Sequence, residues 1–171
     1  MKRFLLFFTL IGLLFSVSSC FKPDGSLSEK ENLLLGYWEV SHITDEDVIY
    51  YTDENGTEQV FDSYSFDEDI KANDGNEEYF VLNFSEVTVT LIATDIPDMA
   101  ELLNIPLAYT QENNKLYGMI FNNEYCEYTL IKSLDKNNLV ILASEQDTYT
   151  ENGITYRLDF KRTTTFKRIN N

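Results

Sequence analysis

The chain has 171 residues, with 13 basic and 29 acidic side chains and a formal net charge of −16. A surface this acidic repels phosphate groups, which argues against nucleic acids and anionic lipid headgroups as partners. The length allows one domain with a hydrophobic core, but it is too short for two domains.

The first 19 residues have the three-part layout of a secretory signal peptide. A cationic start at Lys2 and Arg3 precedes an apolar run of 14 residues from Phe4 to Val17, and small residues follow. The run is shorter than the roughly 20 residues that a transmembrane helix needs. We therefore expect residues 1–19 to be removed, which takes away two positive charges and leaves a mature chain with a net charge of −18.

The end of this segment, Val17-Ser18-Ser19-Cys20, resembles a bacterial lipobox, the recognition site of lipoprotein processing. The resemblance implies that the mature chain begins at Cys20, whose thiol and amine carry acyl chains that anchor the protein to a membrane. Phe21, in place of an aspartate, favours the outer membrane, on either its periplasmic or its surface side. The alternative is an ordinary signal peptide followed by a chance cysteine.

The remainder of the chain divides into a short tether and one β-rich domain. Residues 20–32 contain Pro23, Gly25 and Ser26 and predict a flexible tether, so the domain spans residues 33–171. Strand-forming residues dominate the domain, with turn residues at intervals of roughly ten. The predicted strands are 36–42, 48–53, 57–66, 80–85, 87–91, 107–111, 115–121, 126–134, 138–144 and 154–166.

Two local signals supplement the strand pattern. Asn55-Gly56 predicts a hairpin with a type I′ turn. Pro97 stands at a favourable first helical position, and Met99 and Leu102 share one side, which predicts a short helix over 97–103 that covers one end of the sheet. A meander of this many antiparallel strands usually closes to remove its edges. We therefore predict an all-β barrel of about 8–10 strands.

Several segments resemble the lipocalin-like lipoproteins of Bacteroidetes. Leu35-Gly36-Tyr37-Trp38 looks like the Gly-x-Trp signature of lipocalins, near the first strand. The similarity covers about residues 33–169, and it includes the segments 109–116, 128–131, 139–142 and 156–162. The chain departs from well-studied lipocalins because it lacks an evident long C-terminal helix and a disulfide pair. The resemblance implies a lipocalin-like barrel.

The resemblance also implies a structural pair at the closed end of the barrel, where the signature tryptophan lies beneath an arginine from near the last strand. Period-two alternation places Arg162 at the end of an inward apolar row over 156–160. We therefore expect Arg162 to lie across Trp38 in a cation–π contact. Arg168 replaces it if the last strand bulges at 163–165. A solvent-facing Arg162 is the alternative.

Two functions from different classes remain open. In the first, the barrel binds a small apolar ligand, lined by Tyr109, Cys126, Tyr128 and Leu130. In the second, side chains fill the barrel, and the protein is an interaction or scaffold lipoprotein. The interior of an eight-stranded barrel is just wide enough for either. The abundance of aromatic residues favours filling, and the family resemblance favours binding.

The sequence offers little support for catalysis or for a cofactor. His42 is the only histidine, and the acidic clusters at 45–47, 67–69 and 74–78 lack the spacing of a calcium loop, so we expect a solvated acidic rim. The chain has no Gly-x-Ser-x-Gly elbow, phosphate-binding glycine loop or paired-cysteine metal site. With Cys20 acylated, Cys126 has no disulfide partner. We predict a protein that is not an enzyme and binds no metal or cofactor.

Overall fold

The computed structural model describes residues 33–72, 78–121 and 126–170. Cys20, the signal peptide over 1–19 and the tether over 20–32 lie outside these ranges. The described residues form nine strands and one 3-10 helix, and Leu33 and Leu34 just before β1 are α-helical. They are β1 (Gly36–Thr52), β2 (Glu58–Asp69), β3 (Phe80–Phe84), β4 (Thr88–Thr94), the 3-10 helix (Pro97–Leu102), β5 (Pro106–Glu112), β6 (Lys115–Gly118), β7 (Thr129–Leu134), β8 (Asn138–Glu151) and β9 (Ile154–Ile169).

Eight of these strands form a closed antiparallel barrel. Strands β3 to β9 are neighbours in chain order, and β1 closes the ring by pairing with β3 on one side and with β9 on the other. Strand β2 lies outside the ring and pairs with the second half of β1. The predicted all-β fold with a closed barrel of about 8–10 strands is confirmed.

A bulge in β1 decides which of its side chains face the interior. The register against β9 shifts between Val40 and His42, so Ser41 has no cross-strand partner. Trp38, Val40 and Ile43 are buried as a result, whereas His42 is half-buried. Simple alternation, which puts His42 on the face of Trp38 and Val40, is therefore wrong beyond residue 40, because one extra residue inverts the order of faces.

The end of the barrel that contains Trp38, here called the floor, is packed with large side chains. Trp38, Leu82 and Phe166 are almost completely buried, and the rings of Phe80 and Phe166 meet edge to face at 5.5 Å. Each such side chain stabilises the fold by about 1.5–3 kcal/mol through burial. Met99 of the 3-10 helix packs against the hydrophobic core. The helix predicted over 97–103 is therefore present as a 3-10 helix over Pro97–Leu102, and it covers the sheet.

Three of the eight barrel strands are much longer than the other five. Strand β1 has 17 residues, β9 has 16 and β8 has 14, whereas β3 to β7 have between 4 and 7. At about 3.3 Å per residue, β1 is about 55 Å long. The long strands continue past the barrel and, with β2, form a four-stranded sheet in the order β2-β1-β9-β8. We call this sheet, residues 42–69 and 143–163, the extension.

Two hairpin turns join the strands of the extension. At the β8–β9 turn both Asn152 and Gly153 have positive φ, of 50° and 82°, as a type I′ turn requires. At the β1–β2 turn only Gly56 has a positive φ, and the Asp53 carboxylate accepts the N–H groups of Asn55 and Thr57. The predicted hairpin at Asn55-Gly56 is present, but its type I′ turn is wrong because Asp53 holds a wider loop.

Candidate ligand-binding site at the barrel mouth

The floor of the barrel is closed by Trp38 and an arginine from β9. The indole Nε1 of Trp38 donates to the carbonyl oxygen of Leu34 at 2.7 Å. The guanidinium of Arg168 lies 4.3 Å from the centre of the Trp38 ring and donates to the carbonyl oxygens of Leu35 (2.6 Å) and Lys136 (2.8 Å). These contacts join the chain before β1 to the β7–β8 turn and to β9.

The predicted contact between Trp38 and Arg162 is wrong. Trp38 is the direct cross-strand partner of Arg168, whereas Arg162 stands opposite Asp45, further along β1. The row of inward-facing residues in β9 does not end at Arg162. It continues through Thr164 and Phe166 to Arg168, which lies on the same face of the strand. The bulge that shifts the register lies in β1, so Arg168 reaches the indole without any bulge in β9.

Beyond the packed floor, the barrel contains a cavity of about 190 Å³ that opens at the opposite end, here called the mouth. Its walls are mainly apolar and come from several strands and from the 3-10 helix. They include Ile43, Phe80, Met99, Ile141, Ala143 and Phe160, with Glu78 and Arg162 as charged members. A largely apolar wall with few polar groups is typical of small-molecule sites.

None of the four predicted lining residues borders this cavity, and the alternation of β7 explains two of them. Thr129 and Ile131 are buried, and Thr129 lines the cavity. Tyr128 therefore points away from the interior, and its ring is covered by the Lys115 ammonium at 3.7 Å. Leu130 is two residues from Tyr128 and therefore lies on the same, outward face. The prediction failed by one residue, because a single step along a strand exchanges its two faces.

Tyr109 and Cys126 are structural residues in this fold. The Tyr109 hydroxyl donates to the Ser85 carbonyl oxygen at 2.9 Å, and its ring meets Phe84 edge to face at 5.4 Å. Cys126 is 4% exposed. Burial and a hydrogen bond with the Glu145 side chain raise the pKa of the Cys126 thiol to about 11. A thiol with that pKa is a poor nucleophile at neutral pH.

A groove continues from the cavity along the extension. It encloses about 440 Å³ and lies on the face formed by alternate residues of β1 and their cross-strand partners in β9. Phe160 and Arg162 line both spaces, so the groove and the cavity adjoin at these two side chains. The other lining residues of the groove are Asp45, Asp47, Ile49, Asp62, Ser63, Tyr64 and Leu158.

A network of charges separates the cavity from the groove. Arg162 donates through Nε (2.8 Å) and Nη2 to one carboxylate oxygen of Asp45, and its Nη1 lies 3.5 Å from the Glu78 carboxylate. Burial and, secondarily, the charge of Asp45 raise the pKa of Asp47, although Arg162 partly opposes this rise. Arg162 thus faces two carboxylates, those of Asp45 and Glu78. Its single positive charge does not also neutralise Asp47.

The acidic residues of β2 make contacts on the outer side of the barrel. His42 lies between two carboxylates, 3.2 Å from Asp67 and 3.1 Å from Asp69. Within residues 33–72, 78–121 and 126–170, no group of three or more histidine, cysteine, aspartate or glutamate side chains is arranged to hold a metal ion. No helix in these ranges is long and apolar enough to cross a membrane.

The chain was compared with models of known families, with curated proteins and with solved structures. None of the three comparisons finds a match.

Proposed function

We propose that this chain is a non-enzymatic lipoprotein of the bacterial outer membrane, anchored through acylated Cys20, whose barrel binds a small apolar ligand. The lipobox-like segment ending at Cys20 supports the anchor. The observation that carries the binding function is the apolar cavity, whose lining includes Phe160 and the ion-paired Arg162. A barrel with an open apolar interior at one end and a closed floor at the other is built for a ligand that enters from the mouth.

The size of the cavity limits the ligand. About 190 Å³ is less than the roughly 300–1,000 Å³ of sites for drug-sized molecules. It is close to the roughly 150 Å³ of an engineered apolar cavity that binds benzene. The expected ligand therefore places a single small ring or a short branched acyl group in the barrel, with any polar end directed to the groove.

The small volume also favours a second function, an interaction or scaffold lipoprotein whose barrel needs no ligand. In that case the packed floor and the short cavity are features of a filled core, and function resides on the outer surface. The two functions predict opposite results when small apolar compounds are added to the protein.

The binding function is tested with the mature chain carrying Cys20→Ser, so that no acyl chain competes for the cavity. We expect benzene, toluene or short branched alcohols to raise its melting temperature saturably. Ala143 lines the cavity, so Ala143→Leu fills it and should abolish the effect. Ala108→Leu, the same change on an exposed residue of β5, is the matched control. Absence of stabilisation by every compound would favour the scaffold function.

The anchor is tested by fractionating cells that express the full chain. Cys20→Ser should move the protein from the membrane fraction to the soluble fraction. Cys126→Ser removes the other cysteine of the chain, and it should leave the protein in the membrane fraction. Membrane retention of the Cys20→Ser variant would contradict lipid attachment at this residue.

A further inference from the structure

The groove contains hydrogen-bond acceptors that no described residue satisfies. Asp45 is only 3% exposed, and its Oδ1 atom has no hydrogen-bond partner among these residues, although its other oxygen binds Arg162. The Oδ1 atom of Asp47 is also buried without a partner. Both residues line the groove. Because a buried acceptor without a donor destabilises the fold, the groove is suited to a donor from outside the chain.

The charges around the groove favour a cationic donor. Three carboxylates, of Asp45, Asp47 and Asp62, line it together with one cation, Arg162. That cation is already bound to Asp45 and approaches Glu78. A second positive charge would therefore be attracted to the groove, whereas an anion would meet uncompensated carboxylates.

The extension as a whole strengthens this preference. Its residues 42–69 and 143–163 contain fourteen acidic side chains and three basic ones, a net charge of −11. Each of the three cations is in an ion pair: Arg157 with Glu58, Lys161 with Glu46, and Arg162 with Asp45. The negative potential of the extension concentrates cations near the groove.

Apart from Ser63, the remaining walls of the groove are apolar or aromatic. Ile49, Leu158 and Phe160 line it beside the two aspartates. The Tyr64 side chain, 57% exposed, also lines the groove, and an aromatic ring can bind a positive charge. The carboxylates of the groove are not among any group of three or more that is arranged to hold a metal ion within the described residues. The apolar and aromatic walls suit a cation that carries a hydrocarbon body.

We propose that the groove is a binding site for an organic ammonium ion. The ammonium group binds between the carboxylates of Asp45 and Asp47, whose buried Oδ1 atoms reach it by rotation of the carboxylate groups, and its hydrocarbon body packs on Leu158 and Phe160. The groove volume of about 440 Å³ lies within the roughly 300–1,000 Å³ of small-molecule sites. The site adjoins the barrel cavity at Phe160 and Arg162, but it does not depend on the ligand proposed for that cavity.

The test is isothermal titration of the mature chain carrying Cys20→Ser and Ala143→Leu, in which the barrel cavity is filled, with three probes of one shape: 2-phenylethylamine, 2-phenylethanol and 3-phenylpropionate. We expect the amine to bind at least about tenfold more tightly than the alcohol, and the carboxylate not to bind. A lysine with blocked termini, titrated in parallel, distinguishes a free amine from a lysine side chain of another protein as the source. Binding of either ammonium supports the site.

Variants separate this site from a general charge effect and from the barrel cavity. Asp47→Asn should weaken amine binding at least about tenfold, and it leaves the Arg162 pair of Asp45 intact. Glu46→Gln makes the same charge change on the opposite face of β1 and should leave the affinity unchanged. Ala143→Leu should abolish apolar ligand binding in the barrel but not amine binding. Equal affinity for amine and alcohol, or equal losses in the Asp47→Asn and Glu46→Gln variants, would overturn the proposal.

Discussion

At the scale of single residues, Arg168 has the densest set of contacts at the barrel floor. Its guanidinium covers the Trp38 ring and donates to the carbonyl oxygens of Leu33, Leu35 and Lys136. The planar fork of a guanidinium can serve several acceptors and a ring at once, whereas an ammonium acts as a point charge. Arg168 therefore fixes the chain before β1 against the end of β9.

Replacing Arg168 with lysine should lower the free energy of unfolding by about 2–4 kcal/mol. Lysine cannot reach three carbonyl oxygens in a fixed geometry, so some of these acceptors lose their donor. Urea unfolding followed by Trp38 fluorescence measures the change. Lys167→Arg, on the exposed neighbour, should change the free energy by less than about 0.5 kcal/mol. A loss below about 1 kcal/mol for Arg168→Lys would show that the floor contacts contribute little.

Cys126 should react very slowly with thiol reagents in the folded protein. With a pKa of about 11, about 0.1% of the thiol is ionised at about pH 8, and burial also blocks access. In the Cys20→Ser variant Cys126 is the only thiol. An aromatic disulfide reagent should therefore label it only after urea is added. Complete labelling within minutes in buffer would contradict the buried, hydrogen-bonded thiol.

The alternation of side chains predicted some of the buried residues of the barrel, but it did not identify the residues that line the cavity and the groove. Both faces of β7 carry apolar residues, so the sequence does not reveal that Thr129 rather than Tyr128 faces inward. The groove was missed because the acidic run at 45–47 predicts a loop. The neighbouring cations Lys161 and Arg162 in the last strand were the signal that could have revealed it. Cations on a facing strand can pair with an acidic run, so that the run remains in a sheet.

At the scale of elements, those ion pairs explain why the strands of the extension are longer than predicted. The sequence predicts separate strands over 36–42 and 48–53, whereas β1 runs unbroken from Gly36 to Thr52. Asp45 and Glu46 lie opposite Arg162 and Lys161 and are bound to them. Opposite charges on facing strands thus offset the low strand propensity of aspartate and glutamate.

The β5–β6 hairpin has a position where only glycine fits. Gly118 has a φ of +135°, and a Cβ atom there would lie 2.7 Å from the Ala108 carbonyl oxygen. Gly118→Ala should therefore lower the free energy of unfolding by about 2–4 kcal/mol through strain and collision with backbone. Gly56 also has a positive φ, but a Cβ atom there would meet nothing within 4 Å. Gly56→Ala should therefore lower the free energy of unfolding by only about 1 kcal/mol.

Urea unfolding of the two glycine variants, side by side, separates collision from backbone conformation. Equal losses would mean that the approach of Gly118 to β5 contributes nothing. A larger loss for Gly118→Ala would assign the difference to the close contact with Ala108.

At the scale of the whole molecule, charge is distributed unevenly. The extension has a net charge of −11 out of −16 for the entire chain, on 49 of the 171 residues. Like charges this dense repel one another and destabilise the folded state at low ionic strength. The ion pairs of β9 offset only part of this repulsion, since they involve three cations.

Salt should therefore stabilise the protein. Raising NaCl from about 20 to about 300 mM shortens the Debye length to below about 6 Å and screens the repulsion. We expect the melting temperature of the Cys20→Ser chain to rise by about 3–5 °C. The comparison of two thermal scans at fixed pH measures it. A fall in melting temperature would mean that the screened ion pairs outweigh the screened repulsion.

The outermost strand of the extension has a consequence for how copies of the protein coexist. Strand β2 pairs only with β1 among the described strands, and eleven of its twelve residues are exposed. Five of them are acidic and none is basic: Glu58, Asp62, Asp67, Glu68 and Asp69. An edge strand with unpaired backbone groups can pair with the same strand of a second copy and lead to aggregation. Repulsion between the acidic β2 strands of two copies should therefore keep the copies separate.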